Sequence, residues 1–148
     1  MLRVILCDDA PMDREDVPGG FRLSSDAYVI TITRPRPHVE LLRAEGRASA
    51  EVADAILDHR EKILSECGRI AIFDDLEHAS GYDSNVRTRL TSWTSKHRPQ
   101  ITTFHILTGS RIVAMGVAVA NVALGGSIKA HLKRADFEAA LRQATLTG

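Results

Sequence analysis

The 148-residue chain is poor in aromatic side chains: Phe, Trp and Tyr together make up 5% of it. So few rings offer no stacking platform for single-stranded nucleic acid. Net charge is also missing, with 19 Lys and Arg set against 19 Asp and Glu. A phosphate backbone calls for a basic excess, so nucleic acid is not an expected partner. Cysteine is limited to Cys7 and Cys67, and neither sits in a CxxC pair or near spaced histidines. A zinc site is therefore not expected, and the two thiols read as free and buried in a reduced compartment. No apolar run approaches the ~18 residues of a membrane span. The apolar stretch VILC near the N-terminus is too short for a signal-peptide core. A cytoplasmic location is the expectation. No GxGxxG, Walker A or Gly-x-Ser-x-Gly pattern occurs, so neither a cofactor nor an enzyme is expected.

What is present is an alternation of periodicities. RVILC (3–7) reads as a short buried strand, and the acidic, Pro/Gly-marked DDAPMDREDVPGG (8–20) as loop. FRLSS and YVITITR flank Asp26-Ala27 with alternating apolar positions, the pattern of a hairpin. The prolines of PRPHVELLRAEGR break it. Residues 48–67 predict a helix, with Ser49 as cap, Val52, Ile56, Ile63 and Leu64 on one face, and Gly68 as the stop. RIAIF (69–73) predicts a strand, 86–97 a helix ended by Pro99, and ITTFHIL (101–107) a strand. The run 111–124 is apolar almost all round. That predicts a helix covered by the sheet or by a partner, such as a second copy of the chain. A strand at 127–132 and an amphipathic helix with Phe137 and Leu141 inward complete the chain. Alternating β and α segments after a hairpin define one α/β domain over 1–148, with a mixed, mostly parallel sheet and about four helices. Residues 1–20 form an N-terminal strand and acidic loop extension.

Two local features carry a family resemblance over roughly residues 21–145. Asp75-Leu76 ends an apolar strand and is followed, after a short interval, by Asp83-Ser84-Asn85-Val86 at a helix start. HILTGSRIVAMGVAVANVALGG (105–126) is a strand, a loop and a small-residue helix. Together these resemble the STAS fold of the anti-sigma-factor antagonists and their SpoIIAA-like bacterial relatives. In the antagonists the corresponding motif is Asp-Ser-Ser-Gly, and its second serine is the regulated phosphoserine. Ser84 matches the first serine, and Asn85 and Val86 stand where the family has the phosphoserine and the glycine. The resemblance implies a non-enzymatic signalling domain that binds a protein partner, an anti-sigma factor or kinase-like protein. It also implies an interaction surface made by 76–90 and 108–116, with Asp75, Asp83, Ser84, Asn85 and Ser110 as its candidate residues. Helix N-termini stabilise negative charge, so a phosphate on Ser84 would be favoured there. The plainer role for Asp83 or Ser84 is a helix cap.

Two alternatives use the same residues. RVILCDDAPMDRE also resembles the opening of a response-regulator receiver domain. In that reading Asp8 and Asp9 bind Mg²⁺, Asp74 or Asp75 accepts phosphate, and Thr108 and Lys129 assist. The Pro-Gly-Gly and hairpin after Asp9 do not fit the single helix a receiver has there. The third reading is a carrier of a small ligand or lipid, with helix ends cradling an anion. A Ser110–His105–Asp83 triad can be assembled only on paper. His105, mid-strand, and Trp93 read as core residues.

Overall fold

The computed structural model describes residues 12–123, 126 and 128–146. The strand expected over 3–7 lies outside the described residues. Among the described residues, seven strands form one sheet whose spatial order is the chain order. They are β1 (Asp13–Val17), β2 (Gly20–Ser24), β3 (Tyr28–Arg36), β4 (Val39–Ala48), β5 (Ile70–Tyr82), β6 (Ile101–Leu107) and β7 (Ile128–His131). The helices are α1 (Glu51–Cys67), α2 (Ser84–Lys96), α3 (Arg111–Ala123) and α4 (Arg134–Leu146), with a 3₁₀ turn at Arg98–Gln100. Strands β1 to β4 pair antiparallel, and β4 to β7 pair parallel. The sheet is thus a four-stranded meander continued by three β–α–β units.

The right-handed rule for such units sends successive helices to the same face when the strands advance in one direction. The core follows suit. Val52 and Ile56 of α1 and Val86 of α2 pack with Leu23, Ile30, Ile32 and Leu42. Ile63 and Leu64 of α1, Trp93 of α2 and Val117 of α3 pack with Ile72, Phe104 and Ile128. On the other face Phe137 and Leu141 of α4 cover Val39, Leu41, Ala71, Phe73 and Leu107.

Several boundaries differ from the sequence expectation. Residues 13–17 are a strand rather than loop. All but Val17 are exposed, because an edge strand is allowed charge on both faces. Glu15 pairs with Arg22 of β2 at 2.8 Å, and the Arg14 guanidinium lies 4.0 Å from the centre of the Phe21 ring. The prolines at 35 and 37 do not end the sheet: Pro35 lies in β3, within the irregularity between Thr33 and Arg36, and Pro37 opens the two-residue turn to β4. Ser49 does not cap α1; its hydroxyl is bonded to the Glu51 carboxylate, which also accepts from the Tyr28 hydroxyl at 2.7 Å. Gly68 does end α1, with φ of 73° and its N–H on the Leu64 carbonyl at 2.8 Å. Helix α3, expected to be covered by the sheet or by a partner, packs Val117 inward and leaves Val113 and Met115 at 45% and 68% exposure.

One polar cluster interrupts the core on the α1 face. Glu40 of β4 and Arg60 of α1 are completely buried, and Asp74 of β5 nearly so. Arg60 Nε donates to Glu40 Oε1 at 2.9 Å, and Arg60 Nη2 to Asp74 Oδ1 at 3.2 Å. His59 Nδ1 meets the other Glu40 oxygen at 2.7 Å. Arg60 Nη1 has no hydrogen-bond partner among the described residues. The ring faces of Trp93 and Phe104, each 5.7 Å from the guanidinium carbon, supply attraction instead. Burial works against the Glu40 carboxylate, but Arg60 and His59 hold it below its usual range. Asp74 behaves differently. Burial pushes its carboxyl up to about 6, Arg60 opposing and the Glu40 carboxylate adding to the rise.

The sign of the resulting pH dependence is fixed by that rise. The unfolded chain ionises Asp74 near 3.8, whereas the folded protein keeps the proton to about 6. The contribution of this group is therefore complete below the lower value and lost as pH rises through the upper one. Asp74→Asn should remove the loss, narrowing the difference in unfolding free energy between pH 4 and pH 8 by roughly 2 kcal/mol relative to the parent. Urea denaturation across that range checks it, and an unchanged profile contradicts the assignment.

Candidate functional site

The parallel strands deliver the starts of α2, α3 and α4 to one end of the sheet, and the candidate residues lie there. Asp75 is the last residue of β5 to pair with β6, opposite Leu107. It is 5% exposed and belongs to the α4 face. Its Oδ1 accepts from Arg134 Nη2 at 3.0 Å and its Oδ2 from Arg43 Nε at 3.2 Å. Arg134 also reaches Glu77 at 2.7 Å and Glu138 at 3.0 Å, and Arg43 reaches Glu138 at 3.4 Å. Hydrogen bonds to Glu77 and Asp75 raise the Arg134 guanidinium further above its already high range. Every member of this cluster is engaged. Asp75 straps the start of α4 to β5 and is not a free acid.

Ser110 is likewise committed. Its hydroxyl accepts the Val113 N–H at 3.2 Å, its carbonyl accepts the Ala114 N–H at 3.0 Å, and its own N–H donates to Thr108 Oγ1 at 3.2 Å. That is an N-cap for α3, and the Thr108 N–H on the His131 carbonyl at 3.0 Å ties the loop to β7.

The 83–85 motif lies further out along β5. Beyond Asp75, β5 continues to Tyr82 alongside β4, pairing Glu45 with His78, Arg47 with Gly81 and Ala48 with Tyr82. The stretch 76–82, expected as loop, is thus strand, and it carries Asp83 about 25 Å past Asp75 at the usual rise per residue. Gly109 abuts the Glu77 carbonyl, where an added Cβ would lie 3.7 Å from the oxygen. The 108–110 loop therefore meets β5 near its middle, while the α2 start stands at its tip. The structure brings Asp75 near the α3 and α4 starts and sets Asp83, Ser84 and Asn85 apart from them.

At that tip the expected caps are not made. Asp83 holds the N-cap position with extended backbone, but its side chain makes no capping bond. Its carboxylate pairs with Arg47 at 3.4 Å instead. Ser84 and Asn85 are exposed, and the first turn of α2 contains no acid. Val86, 2% exposed, anchors the helix start in the core. An open groove of about 360 Å³ is lined by Arg47, Gly81, Tyr82, Ser84 and Arg87. A hydroxyl thus opens onto a groove with two guanidinium groups. Arg47 and Arg87 carry no sequence signal of their own, because β4 and α2 meet only through the long β5 extension.

The receiver arrangement does not fit. Asp74 faces α1 and is bound to Arg60, whereas Asp75 faces α4. A sheet running β1 to β7 in chain order with an antiparallel half lacks the doubly wound order of a receiver. Asp8 and Asp9 lie outside the described residues. His105 is a hydrogen-bonded core residue, as its mid-strand position indicated. It meets His131 at 2.8 Å and Thr103 at 2.7 Å and stacks on Phe73. Burial, with His131 and Lys129 adding, pushes it down to about 4. Among the described residues no group of three or more His, Cys, Asp or Glu is placed to hold a metal ion. No described helix is long and apolar enough to cross a membrane.

The architecture matches the crystal structure of an uncharacterized protein from Shewanella loihica, a member of the DUF3478 family with a SpoIIAA-like fold. The TM-score is 0.60 at 19% identity, over 76% of this chain and 94% of that one. The chain therefore has a SpoIIAA-like fold, the α/β fold of STAS domains. No family model and no curated protein matches its sequence.

The capping geometry separates two serine–acid positions that look alike in sequence. Ser110→Ala should cost about 1 kcal/mol and speed amide exchange in the first turn of α3. Asp83→Ala should change stability by less than about 0.5 kcal/mol. Denaturation with hydrogen exchange checks both, and equal effects would contradict the description.

Proposed function

We propose that this protein is a non-enzymatic signalling domain of anti-sigma-antagonist type, cytoplasmic, and that it binds a protein partner through the tip formed by the end of β5 and the start of α2. Ser84 is the residue at which that binding is switched. The observation that supports this reading is the exposed, uncapped Ser84 hydroxyl beside Arg47 and Arg87. Asn85 occupies the position at which the antagonists carry their phosphoserine, and it has no hydroxyl to modify. The acceptor nearest to hand is Ser84, one residue earlier.

The electrostatics give the switch a mechanism. A phosphate on Ser84 adds about 1.5–2 negative charges. Both guanidiniums are then drawn toward it, and Arg47, held to Asp83 only at 3.4 Å, is the one that changes partner. The surface presented there turns from mixed to acidic, which repels an acidic partner and leaves the core unaltered. Asp75 and Ser110 serve this reading indirectly, by fixing the helix starts behind the tip.

The test is affinity capture from the native host with the wild-type chain, Ser84→Ala and Ser84→Asp, quantified by mass spectrometry. A protein retained by the first two and reduced at least about tenfold with Ser84→Asp is the expected result. Identical recovery with all three removes Ser84 from the account.

A further inference from the structure

The opposite end of the sheet gathers positive charge that no described side chain balances. Arg36 stands across the β3–β4 turn from Val39, and Val39 stands beside Ala71 of β5. The Ala71 N–H donates to the His38 carbonyl at 2.8 Å. Arg69, two residues before Ala71, is thereby brought to the same corner as Arg36 and His38. Arg36 and Arg69 are exposed, and neither makes an ion pair or hydrogen bond with a described residue. Their neighbour Arg34 is already engaged, with Glu66 at 2.8 Å.

His38 is the unusual member. It is only 7% exposed, yet its imidazole makes no hydrogen bond to a described residue. The ring is packed away, but its nitrogens keep contact with the surface, where an N–H is open to a ligand. Burial, with Arg69 and Arg36 adding, holds the ring below its usual range and so neutral, with one N–H left to donate. Helix α4 ends nearby, since Ala144 packs on the cluster containing Val39 and Ala71. Its carboxyl end contributes only about half an elementary negative charge, against two full positive ones.

We propose that Arg36, His38 and Arg69 form an anion site that takes the phosphate group of a small soluble phosphate monoester. Two planar guanidinium forks match the oxygens of a dianion, and the imidazole N–H supplies a third donor. A phosphate dianion meets the two guanidinium charges with two of its own, where a carboxylate brings one. The site is independent of the reading given to Ser84, which lies at the other end of β5.

The experiment is a titration of the full chain with inorganic phosphate at constant ionic strength, observed through the ring nitrogens of His38 by NMR. A saturable shift is expected, with a dissociation constant on the order of 1 mM. It should weaken at least about tenfold in Arg36→Ala/Arg69→Ala, the loss of two charge-assisted contacts. Both side chains are exposed, so the fold should persist. If the double variant fails to fold, Arg69→Gln alone puts the same question. Absence of a saturable shift, or equal affinity in the variants, overturns the proposal.

Discussion

The buried guanidinium of Arg60, held between Glu40 of β4 and Asp74 of β5, is the constraint on which the rest of this structure depends. These two strands are the seam where the antiparallel meander becomes a parallel sheet. Burying one cation with two carboxylates is expensive, and such clusters are often no more stabilising than an apolar replacement. Their effect is on register. A one-residue slip of β4 would turn Glu40 to the opposite face, among Ala71, Phe73 and Phe137 and away from Arg60. The cluster thus selects one pairing of β4 with β5 out of several that the apolar residues alone would tolerate.

That register decides what the far end of the sheet presents. Once β4 and β5 are aligned at Asp74, β5 runs on past β6 to Tyr82 and puts the start of α2 at its tip. The acids behind it have structural tasks. Asp74 closes the core cluster, and Asp75, on the other face, fastens α4 through Arg134. The hydroxyls divide in the same way, Ser110 capping α3 while Ser84 stays open. The difference between a structural and an available side chain here is the set of partners already bound, not the residue type.

Much of the fold was legible in the sequence. Helix α1, its apolar face and its Gly68 stop follow from spacing and capping chemistry. Strand β6 is found where its β-branched run predicts it. Two strands were not legible. The acids of β1 read as loop, because an edge strand has no buried face to give it alternation. In β4 the flanking prolines and the buried Glu40 masked a strand that is apolar on both faces. For the site, the sequence pointed to Asp75, Asp83, Ser84, Asn85 and Ser110, but not to the cations that surround them. Arg134 meets Asp75 across 59 positions, a pairing that only the packing of α4 creates.

The most direct test of the account is a comparison of Arg60→Met with the triple variant Glu40→Leu/Arg60→Met/Asp74→Leu, by denaturation and by amide exchange over residues 76–82. The single change strands two buried carboxylates and should cost roughly 3–5 kcal/mol, with faster exchange along the β5 extension. The triple change should recover most of the stability while exchange over 76–82 stays fast, because register is then no longer selected by charge. Parent-like exchange and stability in Arg60→Met would contradict the central place given to this interaction.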